Sequence, residues 1–367
     1  MPASDEPLPA QLKDWFNEGR HRHLAGELAV VAPRFDADIF LKLTLDGLEE
    51  RSLMQRLQQC AIATDAALPG TYRHKVGVLK KLAPRIGHEF VAIFLCDFVA
   101  RFGSEDFEFS LESLRFFTRF GSAEFAVRPF IAAEPERAFA ALTAWTRDPH
   151  EAVRRLASEG ARPRLPWGLQ LRELVRDPQP CAVLLEALKD DPSASVRRSV
   201  ANHLNDISKD HPEWVLDRLE SWDLERESQG WIARHACRTL IKRGHPRALR
   251  LFGFGEVPKV EAVLTLQPAR LRLGERLGLQ AVLRSCSSRP QRLAVDYVIH
   301  YVKARGQTFE KVFKWTLVDL SARGEAVLEK SQLLRDFTTR KHHAGKHRVE
   351  LQVNGARLAG ADFLLKL

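Results

Sequence analysis

From about residue 8 to residue 253, apolar positions recur three and four residues apart, as in "FVAIFLCDFVARFG" (90–103) and "AVLLEALKDD" (182–191). That spacing puts the apolar side chains on one stripe of a helix. Short breaks of Pro, Gly and Asp separate the stripes, so long helices should follow one another closely. After "LRLFGFGEVPKVEAVLTL" the period changes from 3.6 to 2. The segments "VEAVLTL", "LGLQAVLRS", "LAVDYVIHYVKA", "EKVFKWTLVDL", "HRVELQVNG" and "FLLKL" are β-branched or aromatic and bounded by turn residues. They predict about seven short strands.

Internal comparison adds a repeat. "RDPHEAVRRLASEG" (147–160) aligns with "DDPSASVRRSVANH" (190–203), matching Asp148-Pro149 to Asp191-Pro192 and Val153-Arg154-Arg155 to Val196-Arg197-Arg198. The offset of 43 residues is that of HEAT-like helix pairs. "GWIARHACRTLIKRG" (230–244) is a degenerate further copy with Ile232 in the place of Val196. Each pair cannot bury its apolar face alone, so stacking should give a superhelix with one concave face. The expected fold class is an all-α HEAT-like repeat superhelix, an α-solenoid, over residues 1–255, then an all-β immunoglobulin-like sandwich over residues 256–367. Cys286 is the only cysteine after residue 255, so packing rather than an inter-sheet disulfide must hold that sandwich.

Charge sharpens the division. Residues 256–367 hold 20 Lys and Arg against 11 Asp and Glu, whereas residues 1–255 hold 36 of each sign, so the whole net charge of +9 lies at the C-terminal end. A basic domain beside a neutral one points to an anionic partner, because neutralised phosphates release counterions. The start "MPASDEPLPAQLKDWF" lacks the basic and then apolar layout of a secretory signal, and no apolar run has membrane-spanning length. A cytoplasmic monomer with no membrane partner is expected. The five cysteines are scattered without a CxxC pair, and His342, His343 and His347 lie in a basic run without carboxylate or cysteine partners. Neither a metal nor another cofactor is expected, and no P-loop, GxSxG or HExxH motif is present.

The candidate chemistry gathers around "VRRLASEGARPRLPWG" (153–168). On a helix, Val153, Leu156 and Ala157 form an apolar stripe while Arg155 and Glu159 share another face. The next repeat puts Arg198 where Arg155 was and Asn202 where Glu159 was, followed by Asn205 and Asp206, with Val196, Val200, Leu204 and Ile207 inward. Such a ladder suits a nucleic-acid track, its cations set against phosphates. Plainer readings stand beside it. Arg155 and Glu159 also fit a surface ion pair. Asp206 also fits a helix-end cap, Glu124 an acid behind an N-cap at Ser122, Trp167 a plug between helical layers, and Arg162 and Arg164 solvated loop charges.

Three strings in order, "SAEFAVRPFI", "VRRLASEGARPRLPWG" and "LKDDPSASVRRSVANHLNDISKDHPEWV", resemble the DNA alkylation repair glycosylases built from HEAT-like repeats, the AlkC branch rather than its AlkD relatives. The resemblance covers most of residues 8–250, and a subset of that branch is similar in carrying an immunoglobulin-like domain. It implies a monofunctional glycosylase acting on cationic N-alkylated bases in duplex DNA: 3-methyladenine, with 3-methylcytosine and 1-methyladenine also linked to the branch. It implies action without extruding the base. It places Glu124 and Glu159 beside the damaged nucleotide as catalytic groups and Trp167 against its sugar or backbone, with Asp206 completing the pocket. Arg155, Arg198, Arg162 and Arg164 would hold phosphates, with Asn202 on the same track. The basic runs "RKHHAGKHR" (340–348) and "CSSRPQR" (286–292) would let the sandwich grip the duplex and stabilise a bend costing roughly 1 to 6 kcal/mol. The rival reading is a non-catalytic helical-repeat scaffold that binds protein or structured nucleic acid.

Overall fold

A computed structural model describes residues 11–255, 257–304, 306–336 and 341–367. The first ten residues, and Arg340 of the basic run 340–348, lie outside the described residues. The chain divides into two compact units, residues 1–211 with 224–232, and residues 212–223 with 233–367.

The helices in chain order are α1 (Glu18–Val31), α2 (Ala37–Leu45), α3 (Leu53–Ala67), α4 (Tyr72–Leu82), α5 (Glu89–Phe102), α6 (Phe107–Phe117), α7 (Arg128–Ala133) and α8 (Pro135–Trp145). They continue as α9 (Glu151–Glu159), α10 (Arg172–Arg176), α11 (Ala182–Leu188), α12 (Ala194–Ile207), α13 (Pro212–Glu220), α14 (Glu227–Ala236), α15 (Arg238–Lys242) and α16 (Pro246–Leu251). Their starts follow the capping rules. Asn17 and Asp36 accept the N–H groups of Arg20 (2.8 Å) and Ile39 (2.9 Å), and prolines open α7, α8 and α16, where a missing N–H costs nothing. In the first unit α9 packs on α12, and both pack on α11. Val153, Leu156 and Ala157 of α9 and Val196, Val200, Leu204 and Ile207 of α12 are buried, the stripes that the periodicity predicts. The proposed third repeat does not form one continuous helix, because α14 stops at Ala236 and α15 starts at Arg238.

The repeat has a polar spine. In both copies the Asp-Pro aspartate turns back on its own backbone: Asp148 Oδ1 accepts His150 N–H and Asp191 Oδ1 accepts Ser193 N–H, each at 2.8 Å. The first arginine of each "VRR" reaches back to the same turn. Arg154 donates to the carbonyls of Asp148 (2.9 Å) and Pro149 (3.1 Å), and Arg197 donates to those of Asp191 (2.7 Å) and Pro192 (2.8 Å). A link between copies completes the pattern. Arg115 donates to Asp148 (2.7 Å), and Arg154 donates to Asp191 (2.6 and 3.1 Å). One arginine therefore ties its own turn to the next, which leaves the second arginine of each "VRR" available for other work.

The second unit contains β1 (Val260–Gln267), β2 (Arg270–Arg272), β3 (Arg276–Ser285), β4 (Gln291–Val302), β5 (Thr308–Leu320), β6 (Glu325–Leu333), β7 (Gly345–Val353) and β8 (Ala356–Lys366). They form a three-stranded sheet, β1-β3-β6, and a five-stranded sheet, β2-β8-β7-β4-β5. Only the short β2 pairs in parallel, with β8. The expected strands all form. The alternation missed β6, whose Glu, Lys, Ser and Gln hide the pattern, and β2, which is too short to show one. Both sheets feed one apolar core, with Leu279, Ala281 and Leu283 of β3 joined by Val295, Tyr297 and Ile299 of β4 and Val349 and Leu351 of β7. The alternate residues of β4 are buried as well, since Leu249 and Phe254 close over Ala294. Gly244 and Gly355 meet here: both have positive φ, and a Cβ on Gly355 would fall 2.1 Å from Gly244 Cα. Four cysteines, Cys60, Cys96, Cys181 and Cys237, are buried free thiols, and Cys286 is exposed. No helix among the described residues is long and apolar enough to cross a membrane.

The carboxylate of Asp191 is almost wholly buried against Arg154, so Asp191→Ala strands a guanidinium and should lower stability by about 3 kcal/mol in thermal melting. Removing the exposed Arg176 to Glu173 pair by Arg176→Ala should cost less than about 0.5 kcal/mol in the same assay. Asp296 on the covered side of β4 is pushed up to about 6 by burial, against the smaller pull of Lys242 and the Gln352 hydrogen bond. A raised folded value means that its contribution favours the fold below pH about 4 and is lost as pH climbs through about 6. Asp296→Asn should therefore raise stability at pH 8 by on the order of 2 kcal/mol and leave it unchanged at pH 4, measured by denaturant unfolding at the two pH values.

Candidate active site

The C-terminal ends of α9 and α12, with the turn before α7, bring the predicted acids together. Glu159 ends α9 and Asp206 lies in the last turn of α12, and they are 5% and 3% exposed. Arg162, itself buried, lies between them. Its Nη1 donates to Glu159 Oε1 at 2.6 Å, and its Nε and Nη2 both lie 2.8 Å from Asp206 Oδ2. Ser199 of α12 donates its hydroxyl to Glu159 Oε2 at 2.6 Å, and Lys209 donates to Asp206 Oδ1 at 2.8 Å. Glu124 joins from the other side. Ser122 donates to its Oε2 at 2.5 Å, and Arg155 donates to the same oxygen at 2.8 Å. Arg155 Nη2 is also 3.7 Å from Glu159 Oε1, so one chain of alternating charge runs Glu124, Arg155, Glu159, Arg162, Asp206, Lys209.

The two glutamates differ in what they have left to offer. Both oxygens of Glu159 are engaged, whereas Glu124 is held through Oε2 alone and Oε1 has no hydrogen bond among the described residues. Burial alone would lower the Arg162 guanidinium, but the attraction of Glu159 and Asp206 outweighs it and raises it overall. Nearby His203, fully buried in α12, is pushed down to about 3 by burial and by the positive charges of Arg162 and Arg128. It is therefore neutral at working pH and does not compete for the acids. Buried ion pairs are dispensable for folding, since apolar residues of the same volume often do as well. Three buried or half-buried carboxylates gathered at one spot therefore point to chemistry.

Several expectations need correction. The Arg155 to Glu159 contact is not a solvated surface pair: Glu159 is buried, and its short partners are Arg162 and Ser199. Arg162 is not a solvated loop charge, because Asp206, 44 residues later, reaches it across the helix pair. Asp206 is not a backbone cap, since its carboxylate is taken by Arg162 and Lys209. Ser122 caps no helix: Pro129 delays α7 to Arg128, and Ser122 and Glu124 lie in the turn before it. Trp167 plugs nothing. It is 75% exposed and has a left-handed backbone, φ 66°, which costs a bulky residue on the order of 1 to 3 kcal/mol and marks strain at a site. Of the remaining candidates, Arg164 makes a two-point exposed pair with Asp210 (2.8 and 2.9 Å), Asn202 is half-buried, and Arg198 is exposed with no ion pair among the described residues. Among the described residues no cluster of His, Cys, Asp or Glu could hold a metal ion.

Sequence reasoning missed Arg128, Ser122 and Ser199 as parts of this site. Arg128, the first residue of α7, is 0% exposed. It donates through Nε to Leu169 O at 2.6 Å and through Nη1 to Gly160 O at 2.8 Å. Its only signal in sequence is an arginine inside the apolar run "FAVRPFI".

A family described as DNA alkylation repair enzyme matches residues 88–240, which contain every site residue named above. A second, described as the C-terminal Ig-like domain of YhaZ, matches residues 260–367. The chain is 37% identical over 356 residues to the Bacillus subtilis protein YhaZ, covering 96% of this chain and 99% of that one. It is similar to a solved structure of the Pseudomonas fluorescens alkylpurine DNA glycosylase AlkC bound to DNA containing an abasic site analog. That match has 48% identity and a TM-score of 0.94, and it covers 98% of this chain and all of that one.

Proposed function

The chain belongs to the family of DNA alkylation repair enzymes, with AlkC and YhaZ among its relatives, and on that premise we propose that it is a monofunctional DNA glycosylase. It hydrolyses the N-glycosidic bond of cationic N-alkylated bases in duplex DNA, among them 3-methyladenine, 3-methylcytosine and 1-methyladenine. The observation that carries the reading is the set Glu124, Glu159 and Asp206, held in fixed orientation by Arg155, Arg162 and two serines.

Alkylation of a ring nitrogen makes the base positive, so it leaves as a neutral molecule and needs no general acid. Positive charge then moves to the deoxyribose, whose oxocarbenium-like transition state is stabilised by carboxylates fixed nearby. Glu159, with both oxygens engaged, supplies that fixed negative charge. Glu124, with Oε1 open, is placed to orient the attacking water and take its proton. Arg162 positions Glu159 and Asp206 rather than gripping a phosphate, because its nitrogens are committed to them. Exposed Arg198, with Arg164 and Asn202 beside it in the sequence pattern, contacts the DNA backbone. The exposed face of Trp167 lies against the cationic nucleotide, where a desolvated aromatic contributes on the order of 1 to 2 kcal/mol. Since only the sugar has to meet the acids, the damaged base can stay stacked, unlike in enzymes that read a flipped base.

In this reading residues 1–255 form the glycosylase domain, its repeats presenting a concave track to the duplex. Residues 256–367 form an immunoglobulin-like sandwich whose +9 charge adds affinity for DNA. The protein works as a monomer in the bacterial cytoplasm, where the nucleoid lies.

Purified protein should release methylated base from alkylated duplex DNA. Glu124→Gln and Glu159→Gln should each lower the single-turnover rate by about a hundredfold or more while leaving DNA affinity within a few-fold. Release at the wild-type rate by Glu159→Gln removes that residue from the mechanism. No release by the wild-type protein rejects the glycosylase and favours the scaffold.

A further inference from the structure

We infer that Arg128 is a positioning residue that straps shut the loop between α9 and α10 and thereby presents Trp167 to the substrate. The inference rests on the proposed glycosylase reading only for its activity arm.

Arg128 is buried completely, yet no carboxylate lies within ion-pairing distance of it among the described residues. Its two hydrogen bonds go to the backbone carbonyls of Gly160 and Leu169, and its Nη2 has no partner among the described residues. These carbonyls stand at the two ends of one loop, nine residues apart in the chain. A planar guanidinium spans both at once through two separate nitrogens, Nε and Nη1, held in a fixed fork. Inside the strap the loop is closed by Gly168 N–H to Leu165 O (3.1 Å) and Leu171 N–H to Pro163 O (3.2 Å).

Two glycines make room for the strap. A Cβ on Gly160 would fall 2.5 Å from Val127 Cγ1, and one on Gly168 would press at 3.2 Å on Arg128 Nε. Gly160 has an ordinary helical φ, so space rather than conformational freedom is what requires glycine there. Trp167 lies between Pro166 and Gly168 within the strapped segment, exposed and in the left-handed region. A backbone held in that region persists only where its surroundings over-determine it. Among the described residues, Arg128 is the one side chain whose hydrogen bonds take hold of both ends of the loop. The charge is tolerated there because Asp206, Glu124 and Glu159 attract it, although burial, the largest influence, and the neighbouring Arg162 pull the guanidinium down to about 10. The same acids that would face the substrate thus also hold the strap in its charged, five-donor form.

The test uses the full chain with Arg128→Met and Arg128→Lys, each alone and combined with Trp167→Ala. Loop closure is read without substrate, by tryptic cleavage at Arg164–Leu165 and by acrylamide quenching of Trp167 fluorescence, taken as the difference from Trp167→Phe. Opening the strap should raise the cleavage rate by about tenfold in Arg128→Met, and in Arg128→Lys should the Met variant fail to fold, with a cooperative melt retained. On alkylated duplex DNA, single-turnover base release should fall roughly tenfold to a hundredfold with little change in DNA affinity. In the Trp167→Ala background the same substitution should cost nothing further. Wild-type cleavage and quenching in Arg128→Lys and Arg128→Met overturn the strap. An equal loss of rate with and without Trp167 overturns its action through that residue. If the wild-type protein releases no base, the glycosylase reading fails alone, and the strap still stands or falls on cleavage and quenching.

Discussion

The structure depends on holding Glu124, Glu159 and Asp206 close together inside a protein, where an unpaired charge is heavily penalised. Arg162 solves this by standing between Glu159 and Asp206, buried with both, so that each acid loses water and gains a guanidinium. The penalty of taking such ions out of water runs to several kcal/mol each, so the group has little claim to be a stabilising device. In the proposed glycosylase it serves as preorganisation: negative charge already in place needs no reorganisation when a sugar cation forms. Arg155 extends the same arrangement to Glu124, and Ser122 and Ser199 take up acceptor sites that the arginines leave.

The repeat makes that arrangement possible by dividing labour between adjacent arginines. Arg154 and Arg197 serve the Asp-Pro turns in both copies, and Arg154 also ties one copy to the next. Their neighbours Arg155 and Arg198 point elsewhere on the helix, and only Arg155 finds an acid to hold. A fold device repeated every 43 residues thus carries beside it a position that differs between copies, Glu159 in one and Asn202 in the other. The end of α9 also hosts Gly160, whose missing side chain lets Val127 approach and whose carbonyl receives Arg128.

Much of this was legible in the chain. The shift of period near residue 256 marks the change from helix to strand, and the repeated Asp-Pro and Val-Arg-Arg strings mark the helix pairs. Glu124, Glu159, Asp206 and Arg155 could be singled out, and they do assemble. What stayed hidden was burial of charge, because a buried arginine looks like a surface one until its partner arrives. Arg162 meets Asp206 across 44 residues, and Arg128 meets only backbone carbonyls, which no sequence pattern encodes. The plug reading of Trp167 fails for a related reason. Between a proline and a glycine an aromatic reads as filler, whereas the loop turns it outward at positive φ. β6 escaped notice because exposed Glu325, Glu329 and Lys330 break its alternation.

Whether fixed acids shelter a developing sugar cation can be read from binding rather than turnover. Two duplexes differing at one position would carry either a cationic pyrrolidine or a neutral tetrahydrofuran in place of the damaged nucleotide, with Kd measured for both at one salt concentration. The cationic duplex should bind more tightly than the neutral one by about tenfold or more, and Glu159→Gln should lose most of that preference. Equal affinity of the wild-type protein for the two duplexes would contradict such shelter.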